Sequence, residues 1–82
     1  MNNEYKTIIA EITSLDITED DIKDEMILVD DLAFESLAFV GMIVSLERTY
    51  GIKFDDEFIN MEKLKTVHDV AEYIRIKTEQ KG

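Results

Sequence analysis

Few residues of this 82-residue chain have the chemistry to react, and Ser36 is foremost among them. It lies between Glu35 and Leu37, where an acidic stretch gives way to helical apolar spacing. A serine there is a favoured helix N-cap, because its oxygen accepts an early backbone N–H. As a nucleophile it would need a base within hydrogen-bond reach and a third group to orient that base. The one histidine, His68, stands next to Asp69 on a helical stretch, where sequence neighbours do not face each other. No glycine-rich elbow surrounds Ser36. A small-hydrolase reading therefore lacks its base, and what remains is a hydroxyl that another enzyme could modify. The second cluster is acidic: Asp16, Glu19, Asp20, Asp21, Asp24, Glu25, Asp30 and Asp31. A calcium loop of the EF-hand kind needs alternating oxygen ligands, a sixth-position Gly and a twelfth-position Glu. No glycine precedes Gly41, so the run reads as a solvated acidic loop.

Composition narrows the function classes further. The chain has no Cys, hence no disulfide, no thiol of its own and no Cys-based zinc site, and one His excludes a multi-histidine metal site. Nineteen acids against nine bases give a formal charge of −10, which repels nucleic acid and anionic membranes and attracts basic protein faces. No apolar run approaches the roughly 20 residues of a membrane span, and the start carries Glu4 where a signal peptide has a basic region. The expectation is a cytoplasmic, monomeric single domain over residues 1–82 with one hydrophobic core.

The elements that would position Ser36 are helical. The chain has no Pro and three Gly, too few turn formers for a β fold. Tyr5, Ile8, Ile9, Ile12 and Leu15 form one helical stripe. A second helix spans Ser36 to Tyr50 and stops at Gly51. Asp55, Asp56 and Glu57 precede Phe58, Ile59, Met61 and Leu64, which suggests a short third helix. Thr66 and Asp69 form a capping box for a last stripe of Val67, Val70, Ala71 and Ile74. The fold class is thus all-α, a four-helix bundle of three longer helices and one short, with a long first loop from Asp16 to Glu35. Ile17, Ile22, Ile27, Leu28 and Leu32 should pin that loop to the core, with a brief turn over Thr18 to Ile22.

The Ser36–Tyr50 stretch carries two apolar stripes. Phe39, Met42, Ile43, Leu46 and Tyr50 make the natural core face. Leu37, Val40, Gly41 and Val44, running on to Glu47 and Arg48, make a second. Either the helix is buried on most sides, or the second stripe is offered to a partner. Gly41 adds weight to a close approach, since a mid-helix glycine costs about 1 kcal/mol relative to Ala.

Asp30-Asp31-Leu32-Ala33-Phe34-Glu35-Ser36-Leu37, with Glu47 and then Tyr50-Gly51-Ile52, resembles the signature of the acyl carrier protein family. The resemblance runs from the first stripe to Ile74. It implies a helical bundle in which Ser36, flanked by Glu35 and Leu37, bears 4′-phosphopantetheine transferred from coenzyme A by a phosphopantetheinyl transferase. It implies no catalysis by the chain itself: acyl groups ride as thioesters on the arm's thiol and pass among acyl-transfer, condensing and related biosynthetic enzymes. Leu37, Val40, Gly41, Val44 and Glu47 would then meet partners. Phe39, Met42, Ile43, Leu46, Leu64, Val67, Val70 and Ile74 would form a core able to shelter the acyl chain. The sequence departs from the pattern at Glu35 (usually Asp), at Ala33 (usually Gly), and at Ala38, Gly41 and Arg48, where fatty-acid carriers commonly have acids. The resemblance implies fatty-acid or related, polyketide-type synthesis; because of these departures a peptidyl, aminoacyl or D-alanyl carrier of a specialised pathway and a non-carrier helical adaptor stay open as alternatives.

Overall fold

The computed structural model describes residues 3–81, without the side chain of Lys81, so the ends of the expected 1–82 domain lie outside the described residues. Four α-helices are present: α1 (Glu4–Ile12), α2 (Leu28–Leu32), α3 (Ser36–Tyr50) and α4 (Val67–Lys81), with 3-10 turns at Glu19–Asp21 and Asp56–Phe58. No strand occurs among the described residues. The all-α class and the count of three longer helices and one short one stand.

The short helix sits elsewhere than the spacing suggested. It is α2, inside the first loop, and residues 55–64 form a 3-10 turn followed by irregular turns. Each placement has a local cause. In α2, Leu28 and Leu32 lie one turn apart and both are fully buried, while Asp31 Oδ2 accepts the Ile27 N–H at 2.8 Å. Burying two leucines contributes about 3–6 kcal/mol, which offsets much of the cost of ordering five residues. Downstream, Asn60 Oδ1 accepts the N–H groups of Glu62 and Lys63, both at 2.9 Å. Such a side-chain turn competes with helical hydrogen bonds and halts the Asp56–Phe58 turn from propagating.

The first loop is pinned as expected. Ile22, Leu28 and Leu32 are buried, and Ile17 and Ile27 half-buried. Its 24–28 stretch pairs with the start of α4: Leu28 N–H donates to the Lys65 carbonyl (2.9 Å), Val67 N–H to Met26 (3.0 Å) and His68 N–H to Asp24 (2.8 Å). The loop therefore satisfies amides that α4 would otherwise leave open. Thr66 and Asp69 complete the capping box at that start, each side chain taking the other's N–H at 3.1 Å. Helix α1 stops before Leu15, which is exposed. The buried Thr13 hydroxyl donates to the Leu32 carbonyl at 2.6 Å, and the chain turns extended to make that bond.

Tyr5 and Ile9 of α1, Phe39, Met42, Ile43 and Leu46 of α3, and Val67, Val70, Ala71, Tyr73 and Ile74 of α4 meet in one core. Phe34, Phe54 and Leu64 join it from the connections.

Candidate functional site

Ser36 is delivered to the surface between two buried anchors, Phe34 two residues before it and Phe39 three after. Ahead of it, Ala33 adopts a left-handed conformation (φ 56°, ψ 34°) that closes α2, and the Leu28 carbonyl accepts the Phe34 N–H at 2.9 Å. Glu35 is extended and takes the N-cap position, its carbonyl accepting the Phe39 N–H at 2.9 Å. Ser36 is thus the first helical residue, one place beyond the cap that serine chemistry suggested. Its side chain is exposed, and among the described residues its hydroxyl has no hydrogen-bond partner. The cap residue Glu35 makes no side-chain bond to the first turn either. An accessible hydroxyl at the positive end of a fifteen-residue helix suits an anionic substituent.

Among the described residues no base hydrogen-bonds that hydroxyl. The exposed His68 borders a surface depression with Phe58, Lys63, Leu64, Asp69, Glu72, Tyr73 and Ile76, a set that does not include Ser36. Among the described residues no three acids or histidines gather in a metal-binding group.

The second stripe of α3 is open to solvent. Leu37 is 78% exposed, Val40 49% and Val44 41%, and Gly41 is exposed between them. A methyl group placed on Gly41 would meet nothing within 4 Å, so no neighbour in the fold demands the glycine. Glu47 is less free than its place on this stripe suggested. It is half-buried, and its Oε2 accepts the Phe54 N–H at 2.9 Å. The opposite face buries Phe39, Met42, Ile43 and Leu46, and Leu64, Val67, Val70 and Ile74 are buried against them. A surface depression of about 430 Å³ lies between Gly51–Asp55 and Lys77–Gln80 and is lined by none of these eight.

Residues 6–74 match the family described as the phosphopantetheine attachment site. The chain belongs to the acyl carrier protein family. It is 46% identical over 74 residues to an acyl carrier protein of Desulforapulum autotrophicum, covering 89% of this chain and 91% of that one. Acyl carrier proteins of Clostridium acetobutylicum and Clostridium perfringens are 41% and 40% identical, with 92% and 98% of this chain covered and 92% and 100% of theirs. The family's prosthetic group is phosphopantetheine. The residues present fit it: the phosphodiester needs an accessible oxygen and is favoured at a helix N-terminus, and the start of α3 offers both.

In this acyl carrier family member the charge is strongly one-sided. Residues 48–82 hold seven acids and seven bases, so the whole formal charge of −10 belongs to residues 1–47. From Asp24 to Glu47 there are six acids and no base. A further cluster left no trace in the spacing. Tyr73 is buried with its ring stacked on Phe54 (centroids 4.7 Å apart), and its hydroxyl donates to Asp55 Oδ2 at 3.1 Å. Lys77 Nζ reaches the same oxygen at 3.0 Å. Lys77 and then Tyr73 hold the Asp55 carboxyl below its usual range by hydrogen bonding. Burial pushes the Tyr73 hydroxyl up, as it does those of Tyr5 and Tyr50. No helix among the described residues is long and apolar enough to cross a membrane.

Proposed function

We propose that Ser36 bears the 4′-phosphopantetheine and that the chain is a single-domain, monomeric cytoplasmic carrier of acyl groups in fatty-acid or polyketide-type synthesis. The observation that carries this is the exposed, unpartnered hydroxyl at the first position of α3, in a chain of the acyl carrier family. When bound, the group supplies a thiol on a flexible arm, able to hold an acyl group as a thioester, where the chain has no cysteine of its own. Ser36 offers the oxygen, and the transferase supplies the base. Phe34 and Phe39 hold the attachment point still while the arm moves.

Partners meet the acidic surface first and the apolar strip second. The uniformly negative approach speeds encounter with a basic face and weakens with salt. Leu37, Val40 and Val44 then bury apolar area at roughly 25 cal/mol per Å². Phe39, Met42, Ile43, Leu46, Leu64, Val67, Val70 and Ile74 shelter the apolar chain of the cargo. Incubation with coenzyme A, magnesium and a broad-specificity phosphopantetheinyl transferase should raise the intact mass by one phosphopantetheine. An unchanged mass identifies a helical adaptor instead. Ala38 and Gly41, where acids are common in fatty-acid carriers, favour a specialised acyl pathway, and loading by an amino-acid-activating enzyme in preference to acyl-transfer enzymes would replace the acyl reading with an aminoacyl one.

A further inference from the structure

A core this fully buried admits a cargo chain only if one wall moves, and hydrogen bonding separates the fixed walls from the loose one. Helix α1 is tied to α3 and the first loop through Tyr5, whose N–H donates to the Tyr50 hydroxyl at 2.9 Å, and to α2 through Thr13. The first loop is bonded to the start of α4. Residues 59–63 have no such tie to a helix: Ile59 N–H donates to the Asp56 carbonyl (3.1 Å), Asn60 Nδ2 to the Glu57 carbonyl (3.3 Å) and Leu64 N–H to Asn60 (3.0 Å). Asn60 Oδ1 accepts from Glu62 and Lys63, and Lys63 Nζ lies 5.0 Å over the Phe58 ring, so each of these contacts reaches no farther than the turn just upstream. Ile59 and Met61 nevertheless lie half-buried against the core. The freedom ends sharply on both sides. Upstream, Phe54 N–H is held by Glu47 and Asp55 N–H by the Tyr73 hydroxyl, each at 2.9 Å, with Tyr73 and Lys77 both on the Asp55 carboxylate. Downstream, Leu64 is buried and the Lys65 carbonyl accepts the Leu28 N–H.

We propose that residues 59–63 are a lid over the core and that the Asp55–Tyr73 latch fixes its upstream hinge, so that Tyr73 sets the length of acyl chain the core shelters. This rests on the reading of the chain as an acyl carrier. With the latch closed, opening withdraws Ile59 and Met61 alone. With it broken, the moving segment extends back through Phe58, whose ring meets Tyr73 at 5.0 Å, and vacates more of the core. Tyr73 is a positioning residue here, acting through residues 54–58.

The test uses full-length protein carrying the arm and loaded with short, medium or long saturated acyl groups, compared with Tyr73→Phe and Asp55→Ala. The first variant keeps the ring stack, and the second breaks the same latch from the exposed side. Before loading, the amides of Glu62, Lys63 and Leu64 should exchange with solvent faster than that of residue 55. Tyr73→Phe, which removes the acceptor of the residue-55 N–H, should accelerate that amide severalfold, with a smaller acceleration in Asp55→Ala, which frees the Tyr73 hydroxyl but keeps the backbone bond. On acylation, exchange changes should stay within 59–64 in the parent and spread to 54–58 in the variants. The rise in Tm should level off at medium chains in the parent and continue to long chains in both variants. One common chain-length profile for all three proteins, or acylation that leaves 59–64 unaltered, overturns the latch and the lid. Failure of the protein to gain the arm, seen by mass before any exchange is measured, is a separate result that removes the carrier reading and this inference with it.

Discussion

Ala33 is the one non-glycine among the described residues with a positive φ, at 56°, and it closes the turn that delivers Ser36. The left-handed region brings Cβ close to the carbonyl oxygen and costs an L-residue roughly 1–2 kcal/mol. Ala33→Gly removes that strain. It also loosens the unfolded chain, which offsets about 0.4–1 kcal/mol. Ala33 is exposed, so losing its methyl forfeits little burial. The net expectation is a gain of about 0.5–1 kcal/mol, equivalent to a Tm rise of about 2–8 °C in a domain of this size. Thermal and urea unfolding followed by circular dichroism measure it, with an unchanged m-value showing that the denatured state is not the source. Phosphopantetheinylation should proceed as in the parent, because the Phe34 and Phe39 anchors remain. An Ala33→Gly protein of equal or lower stability would refute the reasoning.

Four other outcomes follow from the same geometry. Val40→Asp or Val44→Asp should slow loading by the transferase with little change in Tm, since a charge is costly in an apolar contact. Glu47→Ala should instead lower stability by about 1 kcal/mol through the lost Phe54 N–H bond and load nearly normally; transferase kinetics ranking it the most damaging would make the contact electrostatic. All three tyrosines have hydroxyls raised above the ordinary 10.0, chiefly by burial, so the stability they give is complete below that pH and is lost as pH rises past it. Tyrosinate absorbance should therefore grow in step with loss of helical ellipticity, and ionisation at pH 10.0 with the helices intact would contradict this. Added salt should raise Tm by screening the charge concentrated in residues 1–47, and a fall would mean that ion pairs such as Lys77–Asp55 dominate.

What was legible in the sequence was local and periodic. The Ser36–Tyr50 helix announced itself by its stripe and by Gly51, which takes the left-handed C-terminal position at φ 64°. Thr66 and Asp69 marked the start of α4 by their spacing alone. Leu15 fits the first stripe by number, yet a single buried bond from Thr13 to Leu32 diverts the chain before it. Five residues of α2 are too few for a period to show, and Asn60 broke the helix expected at 55–64 through a side-chain turn. Glu47 shares a face with the exposed apolar strip, and nothing in spacing reveals that its carboxylate accepts the Phe54 N–H. The Asp55–Tyr73 pair, eighteen residues apart, leaves no periodic trace. Ser36 stood out through its motif; its own helix-capping chemistry pointed one position away from where the helix begins.

The central claim is that Ser36 alone carries the arm. Ser14 and Ser45 are the other serines, the first just beyond α1 and the second half-buried in the middle of α3. Parent and Ser36→Ala proteins should be treated side by side with coenzyme A, magnesium and the transferase, then weighed intact and sequenced as fragments. The substitution leaves the fold in place, since the hydroxyl bonds to nothing among the described residues. The parent should gain one phosphopantetheine, located by fragmentation on Ser36, and the variant none. A phosphopantetheine on Ser36→Ala protein, or on any other residue of the parent, would contradict the account.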